Sequence, residues 1–248
     1  MKVVIPMAGR GSRFATVGYT EPKPLIEVAG KPMIQWSIES VRRTCPWVRP
    51  EDFVFVILRE HYEKYQIGDR VRALAGNGAR VIVIDDVTAG AACTVLKAKE
   101  YINTDEDMMI CDSDQFFVCP AFAEHRERAV REGWGGLIPT AESTNLGYSY
   151  AKVGPDGNIM ETAEKQLVST HAAIGVYYFG KGSYFVEAIE HAMANNLRHK
   201  NEFYMCPLYN FIIGKERIVR IVPTKLWMTL GTPDEAAYFA EYVPAEYR

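Results

Sequence analysis

Three groups of residues near the start of the chain have the types and spacing to hold a polyphosphate. Ala8-Gly9-Arg10-Gly11-Ser12-Arg13 is a glycine loop with two arginines, Lys23 follows in Pro22-Lys23-Pro24-Leu25, and Lys31 stands in Gly30-Lys31-Pro32-Met33-Ile34. Bare backbone N–H groups in a glycine loop approach phosphate oxygens, and Arg or Lys neutralises their charge. The loop is not a dinucleotide fingerprint, because Phe14 stands where G-x-G-x-x-G needs its third glycine. It is not a Walker A loop either, since no G-x-x-x-x-G-K-[ST] string occurs.

A second constellation is Asp112-Ser113-Asp114, directly after the apolar run Met108-Met109-Ile110-Cys111. Two carboxylates one residue apart at a strand end suit Mg²⁺, which binds one or two carboxylates and takes its remaining ligands from substrate phosphates and water. The alternative is a pair of turn-forming aspartates. The five histidines (His61, His125, His171, His191, His199) have no metal-binding spacing.

These groups need a scaffold. The chain has 248 residues, which suits a single domain over 1–248. With 48% hydrophobic and 24% charged residues it has the composition of a globular protein. A net charge of -3 argues against a broad nucleic-acid-binding face. Five cysteines with no C-x-x-C pair fit buried reduced thiols in a cytoplasmic protein. No apolar run approaches the roughly 20 residues of a membrane span, so no membrane partner is expected.

Lys2 to Ala8, Phe53 to Leu58, Val81 to Ile84 and Met108 to Cys111 read as buried strands. Helical patterns separate them: one from Pro32, one from His61 to Leu74, and one from Thr88 through Gly90-Ala91-Ala92 to Tyr101. The alternation predicts an α/β fold with a mostly parallel central sheet and helices on both faces. Ligands then bind at the carboxyl ends of the strands, where the glycine loop and Asp112-Ser113-Asp114 both fall. Further strands are expected at Gly135 to Thr140, Tyr148 to Val153 and Ala173 to Phe179, and a capped helix from Thr232-Pro233-Asp234-Glu235.

The three opening segments resemble the signature of the sugar-1-phosphate nucleotidylyltransferases, the NDP-sugar pyrophosphorylases. The resemblance implies a Rossmann-like, GT-A-type nucleotidyltransferase fold and a Mg²⁺-dependent transfer of NMP from an NTP to a sugar 1-phosphate or similar phosphorylated small molecule, with release of pyrophosphate. That reaction serves nucleotide-sugar and cell-surface polysaccharide precursor synthesis. The implied partners are a nucleoside triphosphate and a phosphorylated acceptor, and a homo-oligomer is compatible with the pattern. Ala8, Gly9, Arg10, Gly11 and Ser12 would cradle the triphosphate, Arg13 would stabilise the leaving pyrophosphate, and Lys23 would bridge the two reacting phosphates. Asp114 would carry the metal, and Asp112 would lie near the ribose or also on the metal.

Gly90-Ala91-Ala92 resembles the family segment that lies along the nucleobase. Glu164-Lys165 resembles the family's E-K-P, with Gln166 replacing the proline; the glutamate would hold an acceptor hydroxyl and the lysine its phosphate. An exposed charged pair is the plainer reading of that dipeptide. Gly175 resembles the glycine of the strand that follows. One departure stands out. Where relatives carry a second metal-binding aspartate in W-x-D-x-G-T-P, this chain reads Trp227-Met228-Thr229-Leu230-Gly231-Thr232-Pro233. Thr229 opens two other readings: a cytidylyltransferase for a phosphocholine-like acceptor, or a catalytically silent nucleotide-sugar sensor. A GT-A glycosyltransferase would share the D-x-D but not the glycine loop with Lys23.

Overall fold

A computed structural model describes residues 1–248. Its N-terminal half alternates as expected. Strand β1 (Lys2–Met7) is followed by a single helical turn, α1 (Ser12–Ala15), and by a small hairpin of β2 (Glu27–Val28) and β3 (Lys31–Pro32). Helix α2 (Met33–Thr44), strand β4 (Phe53–Leu58), helices α3 (Arg59–Tyr65) and α4 (Ile67–Ala75), and strand β5 (Arg80–Ile84) come next. Helices α5 (Ala91–Leu96) and α6 (Lys99–Ile102) lead to strands β6 (Met108–Cys111) and β7 (Gln115–Val118) and helix α7 (Phe122–Glu132).

Strands β5, β4, β1 and β6 lie side by side and parallel. Because β4 and β6 flank β1, the chain reverses its direction of travel across the sheet at β1. A crevice therefore opens at the carboxyl end of that strand. The glycine loop leaves β1 at this point.

The second half extends the sheet with antiparallel strands. It contains β8 (Gly136–Glu142), β9 (Ser149–Val153), β10 (Ile159–Glu164), β11 (His171–Ala173) and β12 (Val176–Phe179). Helices α8 (Gly182–Ala194) and α9 (Tyr209–Gly214) follow, then β13 (Val219–Pro223), β14 (Leu226–Thr229) and the last helix, α10 (Pro233–Tyr242). The ten-stranded sheet runs β10-β9-β11-β8-β12-β6-β1-β4-β5, with β13 parallel to β8, while β14 pairs with β7 apart from it. The α/β sheet is as expected, and its parallel run is concentrated in the first half.

Period-two alternation explains why both faces are covered. Val3, Ile5, Phe53, Phe55 and Ile57 enter one core, and Val4, Val54, Val56 and Leu58 enter the other. A third, smaller core gathers Phe14, Trp36, Phe116 and Phe239 beneath the crevice. Trp36 meets Phe116 and Phe239 edge-on at centroid distances of 5.8 and 4.9 Å. This core ties α10 to the glycine-loop side of the molecule.

Four local expectations differ. The helix expected from Thr88 to Tyr101 is two short ones, α5 and α6, starting only at Ala91 and parted by a turn at Lys97 and Ala98. The helix over 61–74 is two helices, because Gln66 adopts a left-handed φ of 51° between them. The strand over 173–179 is broken at Gly175, whose φ is 77°. Helix α2 begins one residue late, with Pro32 extended as its N-cap.

Candidate functional site

Gly11 shows why the loop after β1 needs its glycines. Its φ is 61°, and a Cβ there would stand 2.9 Å from Lys23 Cβ. The loop thus turns sharply and lets the Lys23 backbone close on it. The amides of Gly9 and Arg10 donate to nothing within the protein, so they are free to meet an anion. Arg10 and Arg13 are exposed and in no ion pair. Two unpaired guanidiniums beside free amides make a site for several phosphate charges.

Lys23 follows Pro22, in a single 3-10 turn (Lys23–Leu25). Its ammonium donates to Asp114 Oδ2 and, at 3.2 Å, to the Gly231 carbonyl. Asp114 lies just beyond β6, so the expected two halves of the site meet across the strand ends. Asp112 lies against Gly175: its amide donates to the Gly175 carbonyl at 2.9 Å, and a Cβ at Gly175 would run into Asp112 Oδ2. Gln115 Nε2 donates to the same carbonyl at 2.9 Å. The Asp112 carboxyl is pushed up to about 8, first by burial and then by Asp114, with Lys23 acting against both.

Around these groups runs an open cleft of about 540 Å³. It is lined by Ala8, Gly9, Arg10, Gly11, Ser12, Arg13, Lys23, Gly90, Ala91, Asp112 and Asp114. The glycine loop, Lys23, Gly90, Ala91 and the two aspartates are therefore on one surface. Lys31 is not: its ammonium donates to Glu39 at 2.8 and 3.1 Å and lies over the Trp36 ring, so it is no phosphate cation here, and Ala92 is fully buried behind the loop. The volume is ample for a nucleotide.

Asp112 and Asp114 offer oxygen donors, the kind a hard cation such as Mg²⁺ takes. No group of three or more His, Cys, Asp or Glu side chains is placed to hold a metal alone. The donor set thus fits a cation shared with bound phosphates, not an all-protein cage. Thr229 ends β14 opposite Gln115 and adds no carboxylate. Glu235 does approach: its Oε2 is 3.0 Å, and Asp114 Oδ2 3.4 Å, from a Cβ placed on Gly231. Its amide takes the Thr232 cap at 3.2 Å.

Glu164, Lys165 and Gly175 stand beside the cleft without lining it. Glu164 is buried at the end of β10 and accepts from Ser149 Oγ. Burial pushes its carboxyl above the usual range, while Ser149 and Lys165 pull it down. Lys165 has φ 54°, and its ammonium lies 3.8 Å from Glu164 Oε1 and donates to the Tyr204 hydroxyl at 2.9 Å. Burial lowers the Lys165 pKa and Tyr204 raises it, with a net upward shift.

Sequence reasoning missed the segment that joins the two sides. Residues 199–204 fold as a tight turn closed by His199 and Glu202. Phe203 pairs with the loop at Ala89 to Ala92: its amide donates to the Ala89 carbonyl at 2.8 Å and its carbonyl accepts from Ala92 at 3.2 Å. A Cβ on Gly90, whose φ is 121°, would stand 2.6 Å from Phe203 N and O. Glu202 lines the cleft, and Tyr204 holds Lys165. Nothing in the local pattern of His199-Lys200-Asn201-Glu202-Phe203-Tyr204 signals this role. Thr88 was also missed; its hydroxyl donates to the Gly90 carbonyl at 2.8 Å and shapes the loop.

Known proteins resemble this chain in sequence and fold. The chain is 23% identical over 236 residues to the bifunctional protein GlmU of Methanocaldococcus jannaschii, covering 94% of the chain and 52% of the relative. It is 27% identical over 194 residues to a glucose-1-phosphate thymidylyltransferase of Streptomyces antibioticus, covering 72% and 49%. The chain spans about half the length of the curated relatives it matches. The fold superposes on the crystal structure of a nucleoside-diphosphate-sugar pyrophosphorylase from Vibrio cholerae RC9 with a TM-score of 0.80 at 24% identity, covering 96% and 99%. No helix is long and apolar enough to cross a membrane. The model for nucleotidyl transferases matches residues 2–242, and the chain belongs to that family.

Proposed function

We propose that the chain transfers a nucleotidyl group from a nucleoside triphosphate to a sugar 1-phosphate or similar phosphorylated small molecule, releasing pyrophosphate. The observation that carries this reading is the meeting of Lys23 with Asp114 beneath the unpaired Arg10 and Arg13. Cationic groups for a triphosphate and carboxylates for a cation face one another in one cleft. The activities in the names of the Streptomyces thymidylyltransferase and the Vibrio pyrophosphorylase support it.

The reaction asks little covalent chemistry of the protein. An acceptor phosphate oxygen attacks the α-phosphate, the bond to the β-phosphate oxygen breaks, and pyrophosphate leaves. Positioning and charge stabilisation carry the rate. The amides of residues 9–12 and Arg10 hold the triphosphate, and Arg13 stabilises the charge on the leaving pyrophosphate. Lys23 leaves Asp114 for the reacting phosphates and relieves the repulsion between them. Gly90 and Ala91 offer the base a surface without long side chains. Lys165 meets the acceptor phosphate and Glu164 an acceptor hydroxyl. Asp114 and Asp112 would hold Mg²⁺, which when bound neutralises phosphate charge.

The test is the fate of label from triphosphates carried at the α- and at the γ-phosphate. Transfer predicts α-label in the acceptor product and γ-label in pyrophosphate. Release of γ-label as inorganic phosphate with no α-labelled product would mean hydrolysis and refute the assignment.

A further inference from the structure

Behind the turn that carries Tyr204 lies a second cavity, of about 600 Å³, between α8 and α9. Ala188, Leu197, Pro207, Leu208 and Phe211 give it apolar wall, with His191, Tyr204, Asn210 and Lys215 among them. Leu197 is 58% exposed, so the cavity opens to solvent along an apolar lip. Its volume falls within the range of small-ligand sites, about 300–1,000 Å³. It is separate from the nucleotide cleft and shares no lining residue with it.

The charge on the cavity has one sign. Lys215 lines it and is in no ion pair; its ammonium stands 5.3 Å from the Phe211 ring centroid. The His191 ring also packs on Phe211, at a centroid distance of 4.7 Å. No carboxylate is in the wall. An apolar hollow with one free ammonium at its rim suits a ligand with an apolar body and one anionic head.

Two connections lead from this cavity to the acceptor pair. Tyr204 is in its wall, and the same hydroxyl accepts from Lys165 at 2.9 Å. Asn210 is also in its wall. Asn210 Oδ1 accepts from Thr162 N and Oγ1 at 2.8 and 3.1 Å, and its Nδ2 donates to the Thr162 carbonyl at 2.8 Å. Thr162 stands two residues before Glu164 on β10.

We propose that this second cavity binds a small monoanion with an apolar body, of the medium-chain carboxylate class, and that its occupancy restrains Lys165 through Tyr204. A ligand packed on the Tyr204 ring holds the phenol in place, and the phenol competes with an acceptor phosphate for the Lys165 ammonium. Occupancy then weakens acceptor binding. This second half rests on the reading of Lys165 as an acceptor residue; the binding half does not.

Gly214 supplies a clean variant. It lines the cavity at the end of α9, and a Cβ there meets nothing within 4 Å. Gly214→Leu therefore adds bulk at the cavity wall without displacing the fold, and Lys215→Glu reverses the rim charge. The probe is sodium octanoate, titrated by calorimetry into protein saturated with triphosphate and Mg²⁺, with octylamine and octanol as controls. Saturable octanoate binding, weakened about tenfold by each variant and by either change of head group, is the expected result. Equal binding by both variants, or by octylamine, overturns the site. So does a dimer in sedimentation that Gly214→Leu dissociates, since a second copy would then own this face.

The coupling is read separately, as the acceptor KM with and without octanoate. It should rise with kcat unchanged in the wild type, and stay constant in Gly214→Leu and in Tyr204→Phe. A KM unmoved by bound octanoate overturns the coupling. Absence of pyrophosphate release from untreated protein would instead refute the proposed activity, and calorimetry would still decide the cavity.

Discussion

The Lys23 ammonium is shared between Asp114 and the Gly231 carbonyl, so one side chain links the glycine loop, the acidic strand end and the loop before α10. Lys23→Ala should lower kcat by on the order of a hundredfold or more in a pyrophosphate-release assay, the size of one lost preorganised charge contact. Wild-type turnover would remove Lys23 from the mechanism. Glu164 carries a different expectation. Burial raises its carboxyl above the usual value, so the folded protein binds that proton more tightly than the unfolded chain. Stability from this group is present at low pH and is lost as pH rises through the raised folded value. The Tm advantage of Glu164→Gln over the wild type should therefore grow from pH 4 to pH 7 in ligand-free protein. A difference that shrinks over that range would contradict the assignment. The glycine loop, Lys23 and Asp112-Ser113-Asp114 were legible from residue type and spacing, Gly90-Ala91 only through the family resemblance, and Thr88 and Glu202 not at all. The partners of Glu164 and Lys165 were not, because Ser149 and Tyr204 are brought to them by strand pairing and by a turn 39 residues away.

At the scale of elements, two glycines decide how loops meet. Gly90 combines a φ of 121° with a close approach to the Phe203 backbone. Gly90→Ala should destabilise the fold by about 3 kcal/mol, from a strained dihedral and an overpacked contact together. Urea denaturation measures this, and an unchanged midpoint would mean that Phe203 does not seal the loop at Gly90. Gly175 breaks what the sequence presents as one strand. The run from Ala173 to Phe179 is apolar enough to continue, yet a left-handed residue is needed there to leave the carbonyl facing Asp112 and Gln115. Local pattern shows the glycine and not its purpose. Similarly, the break falls on Gln66, a residue that seldom takes a left-handed φ, and the nearby Gly68 lies inside α4, so one helix was expected where α3 and α4 stand. Strand β10 was passed over because exposed Met160 and Glu161 interrupt its apolar signal.

Across the whole molecule, parallel strands build the crevice and the antiparallel extension from β12 to β10 carries Glu164 and Lys165, the proposed acceptor pair. Alternating strands and helices made the first part legible. The second depends on long-range pairings, such as β13 beside β8, that no local period encodes. Helix α10 closes the arrangement from below through Phe239, which is fully buried against Trp36 and Phe116. Phe239→Ala should cost about 3–5 kcal/mol by cavity formation. Because α10 follows Gly231, the same change should raise the KM for triphosphate. A loss of stability with unaltered KM would separate the third core from the site.

The central claim is that one cleft joins a triphosphate to a phosphorylated acceptor. Its most direct test is a matrix of five nucleoside triphosphates against sugar and non-sugar phosphates with Mg²⁺, read by pyrophosphate release. The account predicts release that needs both a triphosphate and an acceptor, and that is lost in Lys23→Ala and Asp114→Asn. Release independent of acceptor, or no release across the matrix with nucleotide-sugar still bound, would contradict it.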